Sequence, residues 1–152
     1  MNARFNMGKV QPAAYKAMDA LDSYVKQTDI NPLHRELIKI RASQINGCAY
    51  CLDEHSRDAR KLGETEQRIY VLSAWREAKN LFNEQEQAIL ALTEEVTRIS
   101  EHGVSEEVYG NAIRLFGEKL TAQLYMAIIT INAWNRIGVT THMKPTVDKA
   151  TS

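Results

Sequence analysis

Cys48, Cys51 and His55 fall within the stretch Asn46-Gly47-Cys48-Ala49-Tyr50-Cys51-Leu52-Asp53-Glu54-His55. They are both cysteines of the chain and one of its four histidines. On a helix over residues 48–61, Cys48 and Cys51 are related as i, i+3 and Cys51 and His55 as i, i+4, so the three side chains share one face. Neighbours at that spacing lie ~5 to 6 Å apart, inside the range that a disulfide accepts. A helix starting right after Gly47 places both sulfurs in its first turn. There, unpaired N–H groups and the helix dipole favour a thiolate over a thiol. A thiolate, a second thiol to trap its oxidation product and a base one turn away make a redox centre.

The elements that must position these groups follow from the hydrophobic spacing. Gln11-Pro12 opens a helix whose stripe is Tyr15, Met18, Leu21 and Val25, read as core packing. Asn31 caps a second helix that Pro32 begins, with Leu33, Leu37, Ile40 and Ile45 as its buried side and Asn46-Gly47 as its stop. The cysteine helix runs to Leu62-Gly63. Thr65 caps a fourth, running to about Lys79 through Ile69, Leu72 and Trp75. Asn83 and Glu86 read as a capping box ahead of Ala88, Ile89, Leu92, Val96 and Ile99, with an end near His102-Gly103. Ser105 opens a sixth helix that Gly117 closes. Thr121 begins a seventh, whose run Leu124–Trp134 is apolar nearly all round and so belongs at the centre of the fold or in a subunit contact. After Gly138 periodicity is lost, which predicts an extended or mobile tail over 139–152.

No segment alternates as a strand would, and no linker or short repeat divides the chain. The expected fold is therefore all-α: a single domain over residues 1–152, with about seven helices and its core over about 10–140. A length of 152 residues with 44% hydrophobic and 25% charged residues fits one globular domain. Lys plus Arg is 19 and Asp plus Glu is 19, so no basic surplus points to nucleic acid or an anionic membrane. Residues 1–10 hold no apolar run of the signal-peptide kind, and the longest apolar stretch is about half of the ~20 residues a membrane span needs. Two adjacent cysteines cannot staple distant parts of a secreted fold. A cytoplasmic location is expected.

Other meanings of the cysteine pair fit less well. A thioredoxin-type motif needs a strand leading into its helix, and a helix precedes this one. A c-type haem site needs His directly after the second Cys, where Leu52 stands. Structural zinc takes four ligands; Cys48, Cys51 and His55 supply three, with Glu36 or a neighbouring subunit left to give the fourth. Two inert buried thiols are the plain alternative. That reading leaves unexplained why both cysteines of the chain sit at one helix start with a histidine on the same face.

Which sulfur attacks first is open on these grounds. Helix-end electrostatics favour Cys48, which is nearer the terminus, whereas Cys51 is one turn from His55. His55 carries the side chain that changes charge near neutral pH, and so suits proton transfer. Glu36 would orient or charge-balance His55 if the second and third helices pack antiparallel across the Asn46-Gly47 turn. Tyr50 can orient or hand on a proton but, with a phenol reference pKa of ~10, is a poor base at neutral pH. His34, His102 and His142 have no partners at telling spacing.

Glu36 followed by Cys48-x-x-Cys51-x-x-x-His55, then Ser56–Glu64 and Trp75-Arg76-Glu77, resembles the signature of the AhpD-like alkylhydroperoxidase and carboxymuconolactone decarboxylase superfamily. The similarity covers roughly residues 10–140. It implies an all-helical AhpD-like fold, a homo-oligomer (trimer or hexamer) and a peroxide-reducing dithiol. Cys51 is then the peroxidatic residue, Cys48 the resolving one, and His55 and Glu36 a proton relay. One departure is Tyr50, where the best-studied branch has a second histidine.

The expected function is reduction of organic hydroperoxides, with an external dithiol, protein or small molecule, as reductant and no bound cofactor or metal. The alternatives are a lyase that decarboxylates a small lactone acid, and a non-enzymatic redox-sensing oligomer.

Overall fold

The structure, a computed structural model, describes residues 1–149. Among these residues every regular element is helical: α1 (Met7–Val10), α2 (Pro12–Lys26), α3 (Pro32–Asn46), α4 (Ala49–Lys61), α5 (Glu66–Val71), α6 (Glu84–Thr97), α7 (Ile99–His102) and α8 (Glu106–Thr141). Two 3₁₀ stretches, Leu72–Glu77 and Lys79–Leu81, join α5 to α6. No helix of the described residues is long and apolar enough to cross a membrane.

The start signals act as their chemistry requires. The Asn31 side chain accepts from the Leu33 N–H, with Pro32 in the first turn where its missing donor costs nothing. Thr65 accepts from Arg68, and Ser105 from Val108. Asn83 and Glu86 form a reciprocal capping box.

α3 sits at the centre, packed on α4, α6 and α8. Two faces of it enter two apolar clusters. Ile38 and Ala42 join Ile89, Leu92, Leu124 and Ile128, while Leu37 and Ile40 join Leu72, Trp75, Phe82 and Leu90. Each such aliphatic side chain contributes about 1.5–3 kcal/mol on leaving water. A polar joint ties the second cluster together. The Glu94 carboxylate on α6 accepts from Arg41 Nε of α3 at 2.8 Å and from Trp75 Nε1 at 2.9 Å, and pairs with Arg76.

Several boundaries differ from those expected. The α5 segment leaves α-helical geometry after Val71 rather than near Lys79, and Ala74 breaks the 3₁₀ run with φ −118° and ψ 28°. Trp75 is nonetheless buried, as its spacing predicts. The fifth expected helix splits at Arg98, and Ile99, placed in its apolar stripe, is 60% exposed. Gly117, at φ 73° and ψ 173°, breaks α8, as the sequence suggests, but helix resumes directly after it and Thr121 lies inside rather than at the start. The largest correction concerns the tail. α8 continues through Gly138 to Thr141 and is capped by His142 in the left-handed conformation (φ 57°, ψ 44°). Residues 143–149 have no regular structure, yet Asp148 reaches Arg57 on α4 at 2.8 Å. The rest of the expected tail, 150–152, lies outside the described residues.

Candidate active site

The turn between α3 and α4 is built by local chemistry. Gly47 takes the left-handed conformation (φ 67°, ψ 35°) that ends α3, and the Gly47 and Cys48 N–H groups both return to the Ser43 carbonyl. Cys48 is then the N-cap of α4, with extended backbone (φ −88°, ψ 96°), rather than a residue of its first turn. Its Sγ accepts from the Cys51 N–H at 3.4 Å, so a sulfur occupies the place usually taken by a capping oxygen. Side-chain amides hold this turn to α8. Asn46 donates to Asn132 Oδ1 at 2.9 Å and Asn135 Oδ1 at 3.0 Å, and Asn135 donates to Ser43 Oγ at 2.9 Å.

Cys48 and Cys51 are joined as a disulfide, with α-carbons 5.3 Å apart, as the i, i+3 spacing allows. Both are buried, at 2% and 4% exposure. They differ in access: Cys51 lines a cavity of about 240 Å³ together with Tyr50 and His55, and Cys48 does not. α3 and α4 pack against each other across the turn, which brings Glu36 Oε2 to 3.1 Å from His55 Nδ1. Glu36 is buried behind His55 and does not itself line the cavity. Of the sequence-derived residues, then, Cys48 is bonded to Cys51 and His55 to Glu36, and Cys51, His55 and Tyr50 line one cavity. The negative charge of Glu54, with partial burial and the nearby Tyr15 and Asp53, pushes the Tyr50 hydroxyl above the usual phenol range.

Three features escape the sequence reading. Lys39 Nζ donates to Glu36 Oε1 at 3.3 Å, leaving the buried carboxylate between an ammonium and an imidazole. The i, i+3 spacing of Glu36 and Lys39 is the signal that could have found it. Tyr15 and Trp134, both treated as packing residues, line the cavity and meet edge to face at 5.3 Å. Gly138, read as a helix terminator, is instead interior to α8, where a Cβ would lie 2.9 Å from Cys48 Sγ and 3.6 Å from Cys51 Sγ. Glycine here lets a helix backbone press on two sulfurs.

Gly138→Ala is therefore expected to destabilise the oxidised protein by about 1–2 kcal/mol, because the overpacking cost exceeds the ~1 kcal/mol that alanine gains as a helix former. Urea denaturation checks this. A more stable variant would show that α8 has room at the disulfide.

Glu36, His55 and Asp58 present ligand atoms within 4.8 Å of one another, the one group among the described residues placed to hold a metal ion. Both of its carboxylates already carry lysine partners, Lys39 on Glu36 and Lys61 on Asp58 at 3.1 Å.

A helical fold with a Cys-x-x-Cys disulfide at a helix start, and His55 one turn further on bonded to Glu36 of the preceding helix, defines a class of all-α proteins. The chain belongs to the carboxymuconolactone decarboxylase family, which residues 12–95 match. It is 44% identical over 139 residues to the uncharacterized protein YdfG of Bacillus subtilis, covering 91% of this chain and 94% of that one. Among solved structures it resembles an Agrobacterium tumefaciens protein of unknown function described as a candidate antioxidant defence protein AhpD. That match has a TM-score of 0.94 and 37% identity over 97% of this chain and all of the other. An uncharacterized peroxidase-related protein from Silicibacter sp. TM1040 shares the fold, with a TM-score of 0.76 and 24% identity over 87% of this chain and 70% of that one.

Proposed function

We propose that the protein is a thiol-dependent peroxidase that reduces organic hydroperoxides through a Cys48/Cys51 dithiol cycle. The observation that carries this reading is the cavity that reaches Cys51 beside a Glu36-bonded His55, while Cys48 lies behind it. In the reduced form His55 takes the Cys51 proton. The thiolate then attacks the distal oxygen of the hydroperoxide, breaking the O–O bond and forming an S–O bond. The alkoxide leaves as an alcohol after taking a proton from His55, and Cys51 is left as a sulfenic acid. Cys48 Sγ displaces the hydroxyl, releasing water and closing the disulfide; an external dithiol reopens it by exchange and is itself oxidised to a disulfide.

Glu36, held by Lys39, would keep the His55 ring in register, and Tyr50 would steer the incoming hydroperoxide. No bound metal or cofactor is required. The access argument favours Cys51 over the better-capped Cys48 as the attacking sulfur. Assembly into a homo-oligomer, as a trimer or hexamer, is part of the proposal, and Ile129 of α8, 48% exposed, is available to such a contact. A cytoplasmic setting, where thiol reductants are abundant, suits the cycle. The decarboxylase alternative gives no reason for a cysteine pair with one sulfur at the cavity wall.

Treating the reduced protein with an organic hydroperoxide and then a thiol-alkylating reagent should change two alkylatable thiols into none, read by mass spectrometry. Two thiols still free would reject the peroxidase.

A further inference from the structure

The charges that line the cavity without an ion-pair partner are all acidic. Asp19 and Asp22 of α2 and Glu54 of α4 line it, and none of the three has an ion-pair partner among the described residues. Its single lysine, Lys39, is turned onto the buried Glu36 at 3.3 Å and is neutralised there. Val25 of α2 and Ala127, Ile131 and Trp134 of α8 give the cavity its apolar lining. Low-dielectric walls focus the field of carboxylates at a mouth more strongly than an open surface does. The raised Tyr50 hydroxyl pKa, for which Glu54 is the first cause, reports the same negative potential.

We propose that this cavity selects by charge, admitting neutral and cationic hydroperoxides and dithiols to Cys51 and repelling those that bear a carboxylate. The substrate class this implies is a neutral organic hydroperoxide with an apolar body, seated against the α8 wall. The inference rests on the peroxidase reading for its substrate but not for its test, since the potential at Cys51 can be measured with reagents unrelated to peroxides.

The measurement is the rate at which Cys51 of the reduced Cys48→Ser protein is modified by a cationic and an anionic methanethiosulfonate of similar size. In each reaction the thiolate forms a mixed disulfide and methanesulfinate leaves. The cation-to-anion rate ratio, normalised to the same ratio on 2-mercaptoethanol, should be about tenfold or more at low salt. It should fall toward one near 1 M salt, where the screening length is only ~3 Å. In a protein that also carries Asp19→Asn, Asp22→Asn and Glu54→Gln, the ratio should drop to the free-thiol value.

Should Cys48→Ser fold poorly, the reduced protein with both cysteines gives the same rate as the loss of its two free thiols, read by mass spectrometry, because Cys48 then displaces the label from Cys51 and closes the disulfide. A normalised ratio at or below one, or a high ratio that survives the three neutralisations, overturns the proposal. A second arm compares turnover of cumene hydroperoxide with that of its para-carboxylate, for which kcat/KM should be lower by about tenfold. No turnover of either, with the thiol ratio still high, would remove the peroxidase and leave the charge selection standing. Equal turnover of both would remove the charge selection and leave the peroxidase.

Discussion

Cys51→Ser should reduce hydroperoxide consumption to the uncatalysed rate. Serine's hydroxyl does not ionise near neutral pH and cannot be oxidised to the sulfenic acid on which the cycle turns. Cys48→Ser should behave differently. Cys51 keeps its place in the cavity and its neighbour His55, so about one equivalent of hydroperoxide per subunit is consumed in a burst. Turnover then stalls, because no second cysteine remains in the subunit to condense with the sulfenic acid. A stopped-flow trace with a sulfenic-acid trap separates the two variants. Sustained turnover by Cys48→Ser on an external dithiol alone would show that resolution does not need the pair. Sustained turnover by Cys51→Ser would reverse the assignment of the attacking sulfur.

Glu94→Gln should cost about 3–5 kcal/mol of stability, the range for removing one partner from a buried ion pair. Arg41 is only 7% exposed and gives its Nε hydrogen bond to Glu94, so losing the carboxylate charge leaves a guanidinium without a counter-charge between α3 and α6. For Glu94, burial is the largest single influence and by itself would raise the pKa. Hydrogen bonds from Arg76, Trp75 and Arg41 together outweigh it and hold the carboxyl below its usual value. A depressed folded-state pKa means that the stabilisation is present in full above the unfolded carboxyl pKa of ~4.3 and is lost as pH falls through the folded value. The stability gap between the native protein and Glu94→Gln should therefore be level from about pH 5 to 7 and close below about pH 4. Chemical denaturation at several pH values measures it. A gap unchanged down to about pH 3 would mean that the network does not favour the charged carboxylate.

The same joint bears on the site, because α3 carries Arg41 on one side and Glu36 on another. Loosening α3 against α6 is expected to displace the helix that carries Glu36, the partner of His55. Glu94→Gln therefore tests whether stability and site geometry are coupled through α3.

Most helix starts were legible in the sequence because a cap is a local event: Asn31 with Pro32, Thr65, Asn83 with Glu86, and Ser105 each satisfy donors within three residues of themselves. Helix ends were read less well where a glycine stood for two different things. Gly47 takes a left-handed conformation and ends α3, whereas Gly138 stays helical and is small because two sulfurs lie against it. Composition and spacing do not distinguish a glycine needed for its torsion angles from one needed for its missing side chain. The distinction depends on what packs there, and at Gly138 that neighbour is some ninety positions away in the chain.

Spacing alone determined that Cys48 and Cys51 can bond and that His55 follows on the same helical face, because one turn of helix fixes those distances whatever surrounds it. Only the tertiary structure decided which sulfur a cavity reaches and which charges face the opening. Each of those depends on α2 and α8 closing over α4, on contacts between residues far apart in sequence that no local periodicity encodes.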